Sequence, residues 1–132
     1  MRYLLDTNII SDLMRNRDGA VAQHIRRVRE AQVCTSIIVA AEIRFGAARK
    51  NSARLIAEAE ALLSRMQVFG WQAPADRVYG QMRNQLEQAG RPLGTNDLLI
   101  AAHALTLGCV MVTAHEREFR MVKGLRVENW LR

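Results

Sequence analysis

The sequence predicts an α/β fold, a three-layer α/β/α sandwich around a short, mostly parallel sheet. Short apolar runs alternate with longer stretches at helical spacing along the whole of the 132 residues. Hairpin signals are scarce, so successive strands are joined by crossovers that place helices on both faces of a sheet. No linker, low-complexity tract or fixed-period repeat interrupts the pattern, and residues 1–132 are expected to form one domain.

Arg2 to Leu5 reads as a short strand. Ile9, Ile10, Leu13 and Met14 then recur at helical spacing until Asn16 to Gly19 signals a stop. A second amphipathic helix is predicted from about Ala20 to Ala31. Val33 to Thr35 makes a brief strand and Ser36 is suited to cap the next helix. Helical composition continues through Lys50 and again from Ser52 to Arg65. Met66 to Phe69 is the third strand. Pro74 stands near the first turn of a helix that runs to Ala89, and Gly90-Arg91-Pro92-Leu93-Gly94 reads as a loop. From Asn96 to Leu107 the chain is apolar nearly all round, which marks a buried helix, and Gly108 occupies the terminating position. Val110 to Thr113 is a buried strand. After a short polar turn, Leu125 to Trp130 is the last one.

Composition narrows the function classes. With 49% hydrophobic and 24% charged residues the chain belongs with folded globular proteins, not with disordered or disulfide-stapled ones. Cys34 and Cys109 sit in apolar runs, as free buried thiols do, which predicts no disulfide and a reducing, cytoplasmic setting. No apolar run reaches the roughly 18 residues of a membrane span, so no membrane partner is expected. The net charge is +6, and 17 of the 19 basic residues are arginine. Between Arg15 and Arg54 nine basic residues face three acidic ones, a surplus that equals the net charge of the chain. That stretch predicts a polyanionic partner, the alternative being arginines on solvated helix faces.

Ligands of such sheets gather at the carboxyl ends of strands, and three acidic residues are expected there. Asp6 directly follows the first strand, where an isolated Asp also serves as a helix cap. Glu42 shares a helix face with Ile38, Val39, Phe45 and Gly46, so it needs either a cation, such as Arg44 or Arg49, or a raised pKa. Asp97 opens the most apolar helix, where it also complements the helix dipole. Together the three suit a hard cation, Mg²⁺ or Mn²⁺, held by oxygen ligands. His24, His103 and His115 lack the spacing of a zinc site. No P-loop, G-x-G-x-x-G, G-x-S-x-G or C-x-x-C is present.

These residues carry a family resemblance. Leu5-Asp6-Thr7-Asn8-Ile9-Ile10, then Ser36 with Ala41-Glu42-Ile43, then Gly94 through Ala104, and finally Val112-Thr113, Arg117-Glu118-Phe119 and Gly124 through Trp130 resemble the PIN-domain ribonucleases. The likeness is greatest to the VapC-type toxins of bacterial toxin–antitoxin pairs and runs through essentially the whole chain in order. It implies a Mg²⁺-dependent endoribonuclease, with Mn²⁺ as a possible substitute, acting on structured RNA such as tRNA. Asp6 and Asp97 would hold the ion, Glu42 would complete the shell or orient the water, and Thr7, Asn8 and Thr113 would supply supporting hydrogen bonds. The sequence departs from the family where relatives carry Asp or Asn and this chain has His115. The fourth ligand therefore stays open among His115, Glu116 and Glu118.

The resemblance further implies a cognate antitoxin that occludes the acidic site, a homodimer and a higher assembly with the antitoxin. Ile9, Ile10, Leu13, Met14, Leu55, Ile56 and Leu62 are expected either in the core or on those surfaces. Arg15, Arg17, Arg44 and Arg49 would then lie under the RNA beside the acidic pocket. Two other functions are compatible with the sequence: a PIN-fold module weakened in catalysis that binds RNA or antitoxin, and a DNA nuclease of the same fold.

Overall fold

Five short strands, β1 (Tyr3–Leu5), β2 (Val33–Ser36), β3 (Gln67–Phe69), β4 (Val110–Val112) and β5 (Val127–Glu128), lie side by side in the order β3-β2-β1-β4-β5. Every pairing is parallel. The computed structural model describes residues 1–91 and 93–132. Of the predicted Gly90 to Gly94 loop, Pro92 lies outside the described residues. Leu4, Leu5, Met111 and Val112 are wholly buried, as a sheet covered on both faces requires, and for that reason the central strands read as continuous apolar runs.

Among the described residues seven α-helices connect the strands: α1 (Thr7–Arg15), α2 (Ala20–Val28), α3 (Ile37–Arg49), α4 (Ala53–Ser64), α5 (Ala75–Gln88), α6 (Thr95–Leu107) and α7 (Glu116–Phe119). The chain moves outward from β1 to β2 and β3, then returns to the far side of β1 for β4 and β5. Right-handed crossovers therefore set α1 to α4 on one face and α5 to α7 on the other, giving the three layers. Ser36 closes β2 and caps α3 by accepting the Ile38 N–H at 3.0 Å, and Ser52 caps α4 through the Leu55 N–H at 3.2 Å. Gly108 ends α6 in the left-handed region at φ +67°.

Three expectations change. The second helix stops at Val28, because Arg29 takes a positive φ of 82° and a single 3-10 turn at Glu30–Gln32 follows. The polar turn after β4 contains α7, nucleated by the fully buried Phe119, and the last strand shrinks to two residues. Ile9 and Ile10 are core residues without exposure, whereas Leu13, Met14 and Leu62 line a cleft of about 610 Å³ between α1, α2 and α4. Cys34 and Cys109 are free and buried as expected, with their sulfurs 3.8 Å apart, a contact that no spacing announces. Among the described residues no helix is long and apolar enough to cross a membrane.

Candidate active site

The strand order reverses between β1 and β4, and the crevice at the carboxyl ends of these two strands is where an open α/β sheet offers a ligand site. Five polar or charged residues are buried among the described residues: Asp6, Thr35, Ser36, His103 and Thr113. Four of them lie at that edge by position, since Asp6 follows β1, Thr35 and Ser36 close β2, and Thr113 follows β4. Burying a polar group costs free energy unless it is bonded, so each needs a partner.

Asp6 does cap α1, its Oδ1 accepting the Thr7 N–H at 2.8 Å. Its other oxygen has different neighbours. Oδ2 accepts the Thr113 hydroxyl at 2.7 Å and the Asn8 amide at 3.4 Å, while Asn8 Oδ1 accepts the Ala114 N–H at 2.9 Å. Asp6 is only 3% exposed, a depth that capping does not explain. Glu42, half-buried on α3, is reached by neither Arg44 nor Arg49. Thr7 donates its hydroxyl to Oε1 in a short hydrogen bond, and Asn96 donates its amide to Oε2 at 2.9 Å. Asn96 is thus a site residue that its place at the start of a buried helix does not single out. Asp97 stands half-buried in the first turn of α6, and a Cβ at Gly94 would sit 3.8 Å from its Oδ2, in space that glycine leaves open.

The electrostatics join these groups. Burial pushes the Asp6 carboxyl above its ordinary value and Glu42 adds repulsion, against the hydrogen bonds from Thr113 and Thr7 and the nearby His115 imidazole. Burial likewise raises Asp97. Asp6 raises it further, with smaller contributions from Glu42 and Glu118, while His115 opposes them. Of the candidates for a fourth ligand, His115 and Glu118 lie within electrostatic reach of Asp97. Glu116 is drawn off by Arg132 and by Arg120, the latter at 3.2 Å.

His103, buried on α6, bonds through Nδ1 to Ser36 Oγ at 2.7 Å, tying the helix of Asp97 to the cap of the helix of Glu42. Its Nε2 points toward the backbone of Gly70 without a hydrogen bond of ordinary geometry, and burial lowers its pKa.

Carboxylates close enough that Glu42 raises Asp6 and that Asp6 and Glu42 raise Asp97, with no basic side chain in ion-pair contact among the described residues, suit a hard divalent cation. Among the described residues no three Asp, Glu, His or Cys side chains close into a ready-made cage. An open set of this kind fits Mg²⁺, which binds through one or two carboxylates and keeps several waters.

The basic residues do not converge in the expected way. Arg15 ends α1 about 12 Å along its axis from Thr7, at about 1.5 Å per residue. Arg17 lines the apolar cleft with Leu13 and Met14. Arg44 is held by Glu60 through two bonds of 2.8 and 3.0 Å, and Arg49 lies over the Phe45 ring at 5.6 Å. Arg91, Arg117 and Arg120 instead line a groove with His115, Glu116 and Glu118, the loop that follows Thr113.

The chain is similar to known proteins over its length. The PIN domain family model matches residues 3–125. A tRNA(fMet)-specific endonuclease VapC of Shigella flexneri is 34% identical over 131 residues, covering 98% of both chains. The crystal structure of VapBC2 from Rickettsia felis, bound to a DNA fragment from their promoter, superposes with a TM-score of 0.92 at 31% identity, over 98% of this chain and 99% of that one. DNA-bound VapBC from Salmonella typhimurium gives 0.89 at 32%, over 98% of each. Matched from end to end in both sequence and fold, the chain belongs to the PIN domain family.

Proposed function

We propose that this chain, as a single PIN domain, is the toxin of a toxin–antitoxin pair and an endoribonuclease that cuts structured RNA, with tRNA the favoured class. The observation that carries the reading is the buried Asp6, set against Glu42 and Asp97 at the switch point of the sheet with no basic partner among the described residues. Relatives named as ribonucleases, and two named for tRNA(fMet), support the same activity.

Asp6 and Asp97 are the residues to hold Mg²⁺, or Mn²⁺ in its place. Such an ion, when bound, acidifies a water and offsets charge on the scissile phosphodiester. Thr113 and the Thr7 N–H favour the ionised, ligating form of Asp6 against the burial that raises its pKa. Thr7 and Asn96 fix both oxygens of Glu42, which would complete the shell around the ion. Thr113 and Asn8 also bind the backbone of residues 114 and 115, so the loop carrying His115 is registered to Asp6. The antitoxin is assigned to the apolar cleft of Leu13, Met14 and Leu62, in a dimeric toxin that joins it in a larger assembly. VapBC complexes among the structural relatives support that partnership.

The test is cleavage of total RNA and tRNA by antitoxin-free protein with Mg²⁺, Mn²⁺ or chelator, beside Asp6→Asn and Asp97→Asn. Discrete fragments that need metal and vanish in both variants are expected. A folded protein that cuts no RNA pool with either metal overturns the reading in favour of a binding module, and cleavage confined to DNA overturns it in favour of a DNA nuclease.

A further inference from the structure

A groove of about 650 Å³ opens beside the carboxylates, with Arg91, His115, Arg117, Glu118 and Arg120 in its walls. It starts at the site itself. The Ala114 and His115 N–H groups are held by Asn8 Oδ1 at 2.9 Å and Thr113 Oγ1 at 3.0 Å, and both of those side chains also bond Asp6.

Two separate devices bring arginines to it. At the end of α5, the Gly90 N–H bonds the Glu87 carbonyl at 3.1 Å and the Arg91 N–H bonds the Leu86 carbonyl at 2.8 Å. This pair of bonds closes a helix through a left-handed residue, and Gly90 supplies it at φ +68°. Arg91 thereby leaves α5 on a fixed heading. On the other wall, α7 is pinned by the fully buried Phe119, which leaves Arg117 exposed. Arg120 is engaged by Glu116 at 3.2 Å. Arg91 and Arg117 have no carboxylate within ion-pair distance among the described residues.

Two guanidinium forks without an ion-pair partner, in a groove that begins at the loop of Ala114 and His115 and also holds Glu116 and Glu118, call for an anion that they draw toward the carboxylates. Among the described lining residues, Ala114 and Met121 are the apolar ones, too few to anchor a protein segment. A phosphodiester chain has the required repeat of charge, and arginine presents its donors in the geometry that phosphate accepts. We propose that Arg91 and Arg117 bind phosphates of the RNA strand on one side of the scissile bond, so that this groove, and not the Arg15 to Arg54 stretch, guides the substrate into the carboxylate site. The assignment rests on the nuclease reading above.

The test is equilibrium binding of fluorescein-labelled bulk tRNA in chelator at several salt concentrations, paired with cleavage kinetics in Mg²⁺. Arg91→Ala and Arg117→Ala are each expected to weaken binding roughly tenfold and to reduce the slope of log affinity against log salt by about 1. KM rises in both and kcat stays within about twofold. Arg83→Ala, which removes an equal charge from an exposed arginine paired with Glu87, leaves both readouts unchanged. All three changes are on exposed side chains, so folding is preserved. Wild-type protein that cuts RNA while the Arg91 and Arg117 variants bind tRNA undiminished overturns the groove and leaves the nuclease standing. Variants that lose antitoxin affinity but keep tRNA affinity overturn it in favour of an antitoxin contact. Wild-type protein that neither binds nor cuts RNA overturns both.

Discussion

Thr113 Oγ1 donates to Asp6 Oδ2 across 2.7 Å, joining the residue after β4 to the residue after β1, 107 positions earlier. The bond closes the crevice at the switch point, and the same hydroxyl oxygen accepts the His115 N–H at 3.0 Å. One buried threonine thus sets both the charge state of Asp6 and the path of the loop beyond β4.

Thr113→Val, nearly the same shape, is expected to lower stability by about 1–3 kcal/mol, because it leaves a buried carboxylate oxygen and a backbone N–H without their partner. The urea midpoint falls with no change in slope. The acid limb of the cleavage pH profile moves upward, since a group that favours ionised Asp6 has gone, and Thr113→Ser restores both.

Asn96→Ala releases one oxygen of Glu42 on the exposed side of the site. Stability is expected to change by no more than about 0.5 kcal/mol, as for other exposed positions. The Mg²⁺ concentration needed for half-maximal cleavage rises by roughly 10–100-fold, as when a group that orients a metal ligand is removed. A slower rate with an unchanged Mg²⁺ requirement counts against this role.

The folded-state pKa of Asp97 is raised, so its contribution to stability is greatest below its ordinary value of 3.8 and is lost as pH rises through the folded value. At neutral pH without metal the ionised group therefore opposes folding. Asp97→Asn should raise Tm by on the order of 3 °C in chelator at pH 7, and the gain should vanish near pH 4. Mg²⁺ should raise the Tm of wild type and not that of the variant.

His103 has the opposite sign. Its folded pKa is lowered, so its contribution is present above the ordinary value of 6.5 and lost as pH falls below it. His103→Asn, which still offers an acceptor to Ser36, should cost about 1–3 kcal/mol at pH 7 through lost packing and flatten the stability profile below the ordinary value of 6.5. Chemical denaturation across that range measures both.

The sheet was legible because its central strands are short and largely apolar and its helices carry capping signals such as Ser36, Ser52 and Gly108. The short α7 was not, since one buried Phe119 among charged residues has no periodicity to reveal it. Asp6, Glu42 and Asp97 stand out as acids at strand ends or on an apolar face. Asn96 does not, because an amide beside a helix start reads as a cap until Glu42 is seen to face it. The arginines failed differently. Charge counted along the chain favours the Arg15 to Arg54 stretch, but an α-helix carries Arg15 away from the sheet edge where it began, while Arg91 and Arg117 return to that edge from distant segments.

The site spans the chain from Asp6 to Glu118, with Thr113 tying the end of β4 back to the beginning. A nascent polypeptide that has not yet placed β4 beside β1 lacks the hydroxyl that favours an ionised Asp6 and the loop that carries His115 and Arg117. The candidate site is therefore whole only once β4 has docked beside β1, so its assembly is coupled to the completion of the sheet.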